Sequence, residues 1–290
     1  MKNNMKTALL LGSLAGLMVF LGNLIGGRSG AMFGLILAAG MNLGSYWFSD
    51  RIALKMSRAR PVGRAEAPEL YASVARLTER AGLPMPSLHL IPSKQPNAFA
   101  TGRNPSHAAV AVTEGILEIL SPDELEGVLA HELAHVRNRD ILIASVAATI
   151  AGAISFVATM ARWGAMFGGG GDDDESPGGI IGLLAASIVA PIAAIIMQMA
   201  VSRSREFAAD ALGAEIAGKP QGLASALRKL EVMSQRVPMA VNPSAAPMFI
   251  VNPLRGAWAQ GASRMFSTHP PTEERIQRLN QMSARTGYLA

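Results

Sequence analysis

Four long apolar segments constrain this chain more than any other feature of its sequence. A helix that crosses a bilayer needs about 20 largely apolar residues, and each segment approaches or reaches that length. The segments cover approximately residues 7–26, 31–48, 141–160 and 179–201. Only 16% of the 290 residues are charged, against roughly 25% in an ordinary soluble domain. Length and composition therefore predict a mainly α-helical membrane protein with transmembrane helices.

The positions of lysine and arginine predict how these segments are oriented, because short loops rich in these residues stay in the cytoplasm. Basic residues precede the first segment, follow the second, precede the third and follow the fourth: Lys2, Lys6, Arg51, Lys55, Arg58, Arg60, Arg64, Arg137, Arg139, Arg203 and Arg205. The loop within the second pair, "GGGGDDDESPGG", has four acidic residues and no base. We therefore expect both termini and the central region to be cytoplasmic. The consecutive carboxylates favour a solvated linker over a calcium site.

The segments divide the chain into three parts. Residues 1–49 are predicted to form an N-terminal transmembrane hairpin, which is too long for a cleaved signal peptide. Residues 141–201 are predicted to form a second hydrophobic helical hairpin with an acidic loop. Residues 50–140 and 202–290 are each small for a domain, so we expect one composite cytoplasmic domain. Because Pro191 interrupts the fourth segment, a buried second hairpin that does not span the membrane is an alternative.

The central region reads as a mixture of helix and short strands. "APELYASVARLTERAGL" predicts an amphipathic helix that ends at Gly82. Residues 87–92 and 107–113 predict short strands of a small β-sheet. The stretch between them, residues 93–106, has loop and turn chemistry around a short "NAFA".

A second helix is predicted from Pro122 to Asn138, within "SPDELEGVLAHELAHVRNRD". Ser121 is a good N-cap, proline suits the first helical position, and Glu124 completes a capping box. Histidines 131 and 135 lie four residues apart. Both imidazoles are therefore expected on one face of the helix, aimed at one point.

This arrangement suits zinc hydrolysis. The chain has no cysteine, so a metal must be held by His, Asp or Glu. His131 and His135 are the predicted zinc ligands, and the site is expected to hold one Zn2+ per chain. Zinc lowers the pKa of a coordinated water to about 7. Glu132, turned about 100° from His131, is placed to take the proton of that water as general base.

A third ligand is expected from "SRSREFAADALG", where Glu206 and Asp210 lie four residues apart on a predicted helix. Glu206 is the predicted ligand, and Asp210 is expected to receive the other ring N–H of a ligand histidine, with His131 favoured. A solvated acidic face is the alternative. His89 and His107 are better explained by structural or surface roles.

Two other classes of protein were weighed against an enzyme. A non-catalytic membrane scaffold with a structural zinc site has no use for a general base, so the intact Glu132 argues against it. A small transporter or channel needs polar groups along its membrane segments, which are not conspicuous here. The net charge of +5 does not indicate nucleic-acid binding, because the basic residues gather beside apolar segments.

Four separated motifs resemble the HtpX family of bacterial inner-membrane zinc endopeptidases, which is related to the CAAX prenyl proteases. They are "HELAHVRNRD", "SRSREFAAD", "PNAFATG" and "STHPPTEERI". The resemblance implies a zincin-like metallopeptidase domain that hydrolyses peptide bonds of polypeptide substrates. Misfolded or damaged membrane proteins are the implied substrates, in stress-related protein quality control. A membrane AAA+ protease is an implied partner, and the bacterial inner membrane is the implied location.

The same resemblance suggests roles for three further residues. Asn97 would border the cleft, where an extended substrate pairs with an edge strand; a simple turn is an equal alternative. His269 and Arg275 would face the active site and steady the oxyanion that forms at the scissile carbonyl. The alternative for both is a capped helix start with Arg275 on the surface.

Overall fold

The computed structural model describes residues 2–143, 203–236, 250 and 270–286. The described elements are, in chain order, α1 (Lys2–Met56), β1 (Arg60–Pro61), α2 (Pro68–Ala81), β2 (Ser87–Ile91), β3 (Ala98–Gly102), a 3-10 turn (Pro105–His107), β4 (Ala108–Thr113), α3 (Glu114–Ile119), α4 (Pro122–Arg137), α5 (Arg203–Ala217), α6 (Pro220–Arg236) and α7 (Thr272–Thr286). This confirms a mainly helical protein with a small sheet. Almost all of the predicted second hydrophobic hairpin lies outside the described residues.

Helix α1 reverses direction within its length. Gly27 has a φ of 55°, which breaks regular helical geometry. The side chain of Asn42 donates to the Leu11 carbonyl over 3.1 Å, across 31 residues that a straight helix would separate by about 46 Å. The two halves of α1 therefore pack antiparallel. The second half contains Gly27–Phe48, the one segment among the described residues that is long and apolar enough to cross a membrane.

The four strands form a mixed sheet in the order β1-β2-β4-β3. Strands β2 and β4 are parallel, whereas β1 and β3 pair antiparallel with their neighbours. Both predicted strands are confirmed, but residues 93–106, where loop and turn around a short "NAFA" were predicted, contain a further strand at residues 98–102. These residues form the edge strand β3, because residues Ala98 to Gly102 pair with Val112 to Ala108 across the intervening turn. Within the described residues, β3 pairs with β4 alone.

The helices predicted from capping signals are confirmed. Helix α2 ends at Gly82, whose φ of 64° is the left-handed conformation that glycine adopts readily. Helix α4 begins with both bonds of the capping box: the Glu124 N–H donates to the Ser121 hydroxyl over 3.4 Å, and the Ser121 N–H donates to the Glu124 carboxylate over 2.8 Å. Helix α4 therefore begins at a defined residue, which sets the position of its two histidines.

Helix α4 is the centre of the core. It contacts α2, β3, α5 and α6. Val128, Leu129 and Leu133 are at most 1% exposed, and a single apolar cluster joins them to residues of α2, α5, α6 and α7. The helix that carries both histidines is therefore held on all sides by buried contacts.

Candidate metal centre and active site

The two histidines of α4 point at each other. His131 is buried, and the His135 side chain is 16% exposed. Their Nε2 atoms lie 3.2 Å apart, as expected for two imidazoles one helical turn apart on the same face. The Nε2 atoms therefore converge on a single point beside the helix.

Helix α5 brings a carboxylate to that point. Glu206 Oε2 lies 3.8 Å from Nε2 of His131, and its Oε1 lies 3.5 Å from Nε2 of His135. Donor atoms of these three residues all fall within 4.8 Å of one another. The structure thus brings together the three residues that the sequence suggested as ligands.

A separate carboxylate faces the other ring nitrogen of each histidine. Asp210 Oδ1 lies 3.0 Å from Nδ1 of His131, the histidine favoured for it from the sequence. Asp140 Oδ2 lies 3.2 Å from Nδ1 of His135. A carboxylate at Nδ1 favours a proton there and leaves Nε2 with its lone pair.

Asp140 is a site residue that the sequence analysis did not identify. The chain leaves α4 through Arg139, which has a left-handed φ of 58°. This turn brings the Asp140 N–H back to the His135 carbonyl, 2.9 Å away. The sequence signal that could have found Asp140 is its place just beyond the helix end, within reach of the second histidine.

The donor set fits zinc. Zinc takes imidazole nitrogen and carboxylate oxygen readily, and catalytic sites commonly supply three protein ligands. Here a carboxylate at Nδ1 of each histidine leaves its Nε2 free, and the two oxygens of the Glu206 carboxylate each face one Nε2 atom. His131, His135 and Glu206 would hold the ion.

Glu132 lies beside this group without belonging to it. Its carboxylate is buried and accepts a hydrogen bond from the Ala100 N–H of β3 over 2.9 Å. Burial raises the pKa of Glu132, while the neighbouring imidazoles and the Ala100 N–H oppose that rise. The glutamate between the histidines is therefore bonded to the sheet and not to the three candidate ligands.

Charged groups within the site shift the pKa values of His135 and Asp210. Burial would lower the pKa of His135, but the hydrogen bond to Asp140 and the charges of Glu206 and Glu132 outweigh it and raise this pKa to about 9. Burial would raise the pKa of Asp210, but the charge and hydrogen bonds of Arg275 hold it well below its usual range. In both cases neighbouring groups of opposite charge outweigh the effect of burial on the pKa.

Of the remaining predicted residues, the structure describes Arg275 and Asn97. Arg275 is 1% exposed, which excludes the surface alternative, and its guanidinium forms two hydrogen bonds with the Asp210 carboxylate. Asn97 is also buried, and its side-chain oxygen accepts from the Ile250 N–H over 3.2 Å. His269 lies outside the described residues.

Zinc-dependent peptidases place a general base between two helical histidines in this way, and the fold and site together define a zinc metallopeptidase. A sequence profile described as peptidase family M48 matches residues 64–283. The chain belongs to this family.

Curated relatives cover almost the whole chain. A protease HtpX homolog of Desulfatibacillum aliphaticivorans is 56% identical over 288 residues, which are 99% of this chain and 92% of the relative. A protease HtpX homolog of Pelotomaculum thermopropionicum is 55% identical over 282 residues, which are 97% of this chain and 99% of the relative. The predicted kinship with HtpX proteases is confirmed.

The fold is shared with a solved structure. The crystal structure of Ste24p from S. mikatae is similar with a TM-score of 0.52 and 20% identity over 96% of this chain. This chain spans 65% of the length of that protein. At this identity the likeness supports the fold of the chain and nothing about its substrates.

Proposed function

We propose that this metallopeptidase is a membrane-embedded endopeptidase in which His131, His135 and Glu206 bind zinc and Glu132 is the general base. The observation that carries the proposal is the position of Glu132. It lies on the helix that holds both imidazoles, is buried, and is aimed by the Ala100 N–H. A structural zinc site needs no such carboxylate, so this position favours catalysis over a scaffold.

When bound, zinc supplies a water of lowered pKa and polarises the scissile carbonyl. Glu132 accepts a proton from the attacking water at its carboxylate and then delivers it to the leaving amine. The Ala100 N–H keeps that carboxylate oriented through both transfers. Asp210 and Asp140 hold the two imidazoles in the tautomer that leaves Nε2 free to bind.

The substrate is proposed to bind along the edge strand β3. It pairs with β4 on one side, and its Ala100 N–H reaches Glu132 of α4 on the other. An extended peptide that adds to this edge is held by main-chain hydrogen bonds next to the general base. Asn97, directly before β3, is proposed to border this cleft, and His269 is proposed to steady the oxyanion that forms at the scissile carbonyl.

The experiment that tests this mechanism uses full-length protein in detergent, purified with a chelator and then supplied with zinc. Cleavage of an unfolded protein such as casein is followed for wild type and for Glu132→Gln. We expect zinc-dependent cleavage by wild type and none by the variant, with equal zinc binding. Zinc binding without cleavage by either protein would favour the structural-site scaffold.

We further propose a multi-pass protein of the bacterial inner membrane with its active site facing the cytoplasm. The antiparallel halves of α1 and the apolar segment Gly27–Phe48 support a membrane hairpin in residues 1–49. The shared apolar core of α2, α4, α5 and α7 supports one composite domain built from residues 50–140 and 202–290. Segments 141–160 and 179–201 complete the proposed topology.

The absence of cysteine from the chain makes this topology directly testable. Single cysteines at Asp173, in the acidic loop, and at Ala290, at the C-terminus, are labelled in intact cells with a membrane-impermeant maleimide. We expect labelling at residue 173 before lysis and at residue 290 only after lysis. Labelling of both positions in intact cells, or of neither, would contradict the proposed arrangement.

Misfolded or damaged membrane proteins are the proposed substrates, and a membrane AAA+ protease is a proposed partner in protein quality control. The spacing of the ligands from segments 141–160 and 179–201 supports a zinc site close to the membrane surface. A destabilised membrane protein and its stable parent, reconstituted together with the peptidase, provide the test. Selective loss of the destabilised form is expected, and equal loss of both would contradict this substrate class.

A further inference from the structure

Among the residues that the structure describes, Arg275 is the largest fully buried side chain, at 1% exposed. It lies on α7, far in sequence from the zinc motif. A guanidinium in the interior must have hydrogen-bond and charge partners there, because its desolvation is costly. The identity of those partners therefore shows what this side chain does.

The guanidinium nitrogens of Arg275 all lie close to polar atoms of other residues. Its Nε and Nη2 donate to the two carboxylate oxygens of Asp210 over 2.9 and 2.7 Å, and its Nη1 donates to the Ile250 carbonyl over 3.0 Å. Nη2 also lies 3.5 Å from Nε2 of His131, and Nη1 lies 3.9 Å from Oε2 of Glu206. Three of the five N–H groups of the guanidinium are thus hydrogen-bonded to Asp210 and Ile250, and the guanidinium also lies beside His131 and Glu206.

Asp210 links this arginine to the metal site. Its Oδ1 accepts from Arg275 and also lies 3.0 Å from Nδ1 of His131. A two-bond pair between guanidinium and carboxylate fixes the plane of both groups. The orientation of the His131 ring therefore depends on a carboxylate whose own orientation is set by Arg275.

The backbone of Ile250 extends the same network to the sheet. Its carbonyl accepts from Arg275, and its N–H donates to the side chain of Asn97, which directly precedes β3. Asn97 is itself fixed, since its N–H donates to the Thr113 hydroxyl over 2.9 Å. A continuous path of hydrogen bonds and close contacts joins the start of the edge strand to a metal-facing imidazole.

We propose that Arg275 is a positioning residue of the zinc site, acting on His131 through Asp210 and holding Ile250 in place between the zinc site and Asn97. This proposal rests on the assignment of His131 as a ligand. It differs from the oxyanion role that the family resemblance suggests, because the bonds that fix the guanidinium of Arg275 go to Asp210 and Ile250. Arg275 contributes to zinc binding before any substrate arrives.

The test measures zinc affinity in full-length, detergent-solubilised protein that carries Glu132→Gln to prevent self-cleavage. Arg275→Lys keeps the charge and loses the planar two-bond fork. We expect about a tenfold loss of zinc affinity, at the lower end of the effects of changes around metal ligands. The matched control is Arg278→Lys on the same helix, whose side chain is 53% exposed and pairs with Glu274; its zinc affinity should equal that of the parent.

Cobalt provides a second readout, because its visible absorption reports the geometry of its ligands. We expect an altered cobalt spectrum for Arg275→Lys and an unchanged one for Arg278→Lys. A fall in kcat for casein in the Glu132-containing protein, with zinc affinity and cobalt spectrum unchanged, would overturn the proposal and restore a substrate role.

A double-mutant cycle tests whether Arg275 acts on His131 through Asp210. It also guards against misfolding of the single variants. Asp210→Asn combined with Arg275→Met removes both buried charges together. If Arg275 acts through Asp210, the double variant loses no more zinc affinity than Asp210→Asn alone, so the effects are not additive. Additive losses would contradict this route.

Two further outcomes separate the positioning role from the metal site itself. If the Glu132→Gln parent binds no zinc, the proposed metal site is wrong. If all variants bind zinc equally, only the positioning role is wrong.

Discussion

Gly213 of α5 lies directly against the backbone of His131. A Cβ atom at Gly213 would stand 2.9 Å from both the N and the Cα of His131, closer than side-chain carbons approach backbone atoms. The absence of a side chain at this position lets α5 approach α4 closely enough to deliver Glu206 and Asp210.

We expect Gly213→Ala to push α5 away from α4 and to weaken zinc binding. The backbone of His131 has no flexible end that can yield, so the added methyl group should cost about 1–3 kcal/mol in the free energy of unfolding. Zinc titration and urea unfolding of the Glu132→Gln protein measure both effects. Gly63→Ala is the matched control, since Gly63 is exposed and has no atom within 4 Å of the added carbon. Equal behaviour of the two variants would refute the close-approach argument.

Asp140 should matter as much for His135 as Asp210 does for His131. Asp140→Asn keeps the shape of the side chain but removes the charge facing Nδ1. We expect zinc affinity to fall roughly 10- to 100-fold, measured by competition with a chelating dye. Asp123→Asn, at the exposed start of the same helix, is the control and should bind zinc normally. Unaltered affinity in Asp140→Asn would show that the contact does not support the ligand.

The contacts of Glu124 at the N-terminus of α4 should make the free energy of unfolding depend on pH. Burial tends to raise the pKa of Glu124, but bonds from Lys229, Ser225 and Ser121 prevail and lower it from 4.5 to about 2. A lowered folded-state pKa adds stability that is complete above about pH 5 and is lost as the pH falls towards 2. The contribution is on the order of 3 kcal/mol at neutral pH.

This linkage is measured as the difference in unfolding free energy between metal-free protein and its Glu124→Gln variant, both carrying Glu132→Gln. We expect the difference to be largest at pH 6–7 and to shrink as the pH falls from 5 to 3. Lys229→Gln, which removes the main cationic partner, should flatten this pH dependence. A difference that stays constant with pH would contradict the proposed ion pair.

The aromatic residues at the end of the apolar segment should lie at the membrane surface. Trp47 is exposed, packs edge-on against Tyr46, and carries the guanidinium of Arg103 at 4.8 Å from its ring centre. Tryptophan and tyrosine favour the headgroup level of a bilayer. Because Arg103 directly follows β3, this contact ties the edge strand to that level.

Quenching of Trp47 fluorescence by brominated lipids measures this depth, after the other two tryptophans, Trp163 and Trp258, are changed to phenylalanine. We expect lipids brominated close to the headgroup to quench more strongly than lipids brominated near the chain end. The opposite order, or no quenching by either lipid, would be incompatible with an interfacial Trp47.

The parts of the fold that depend on neighbouring residues were predictable. The capping box of Ser121 and Glu124 located α4, and the i, i+4 spacing placed His131 and His135 on one face. Glu206 and Asp210 followed the same helical rule on α5. In each case the contacts that determine the structure lie within one or two helical turns, so the local sequence is enough to predict them.

The parts of the fold that depend on distant residues were not predictable from the sequence. Strand β3 exists because it pairs with β4, and no local pattern in "AFATG" separates it from a loop. The partnership of Arg275 with Asp210 spans 65 residues, and the Asp140 contact depends on a left-handed Arg139. Long-range pairing and an unusual backbone angle are the physical reasons why these features were missed.

The bond between the Ala100 N–H and Glu132 has a consequence for what this peptidase selects. If the substrate adds to β3 as proposed, one strand both receives the peptide backbone and aims the general base. The cut is then positioned by main-chain register, and a chain must be extended and unpaired to enter. Such a site discriminates by conformation more than by side chain: a folded protein hides its backbone in its own structure, while the same sequence becomes a substrate once it unfolds.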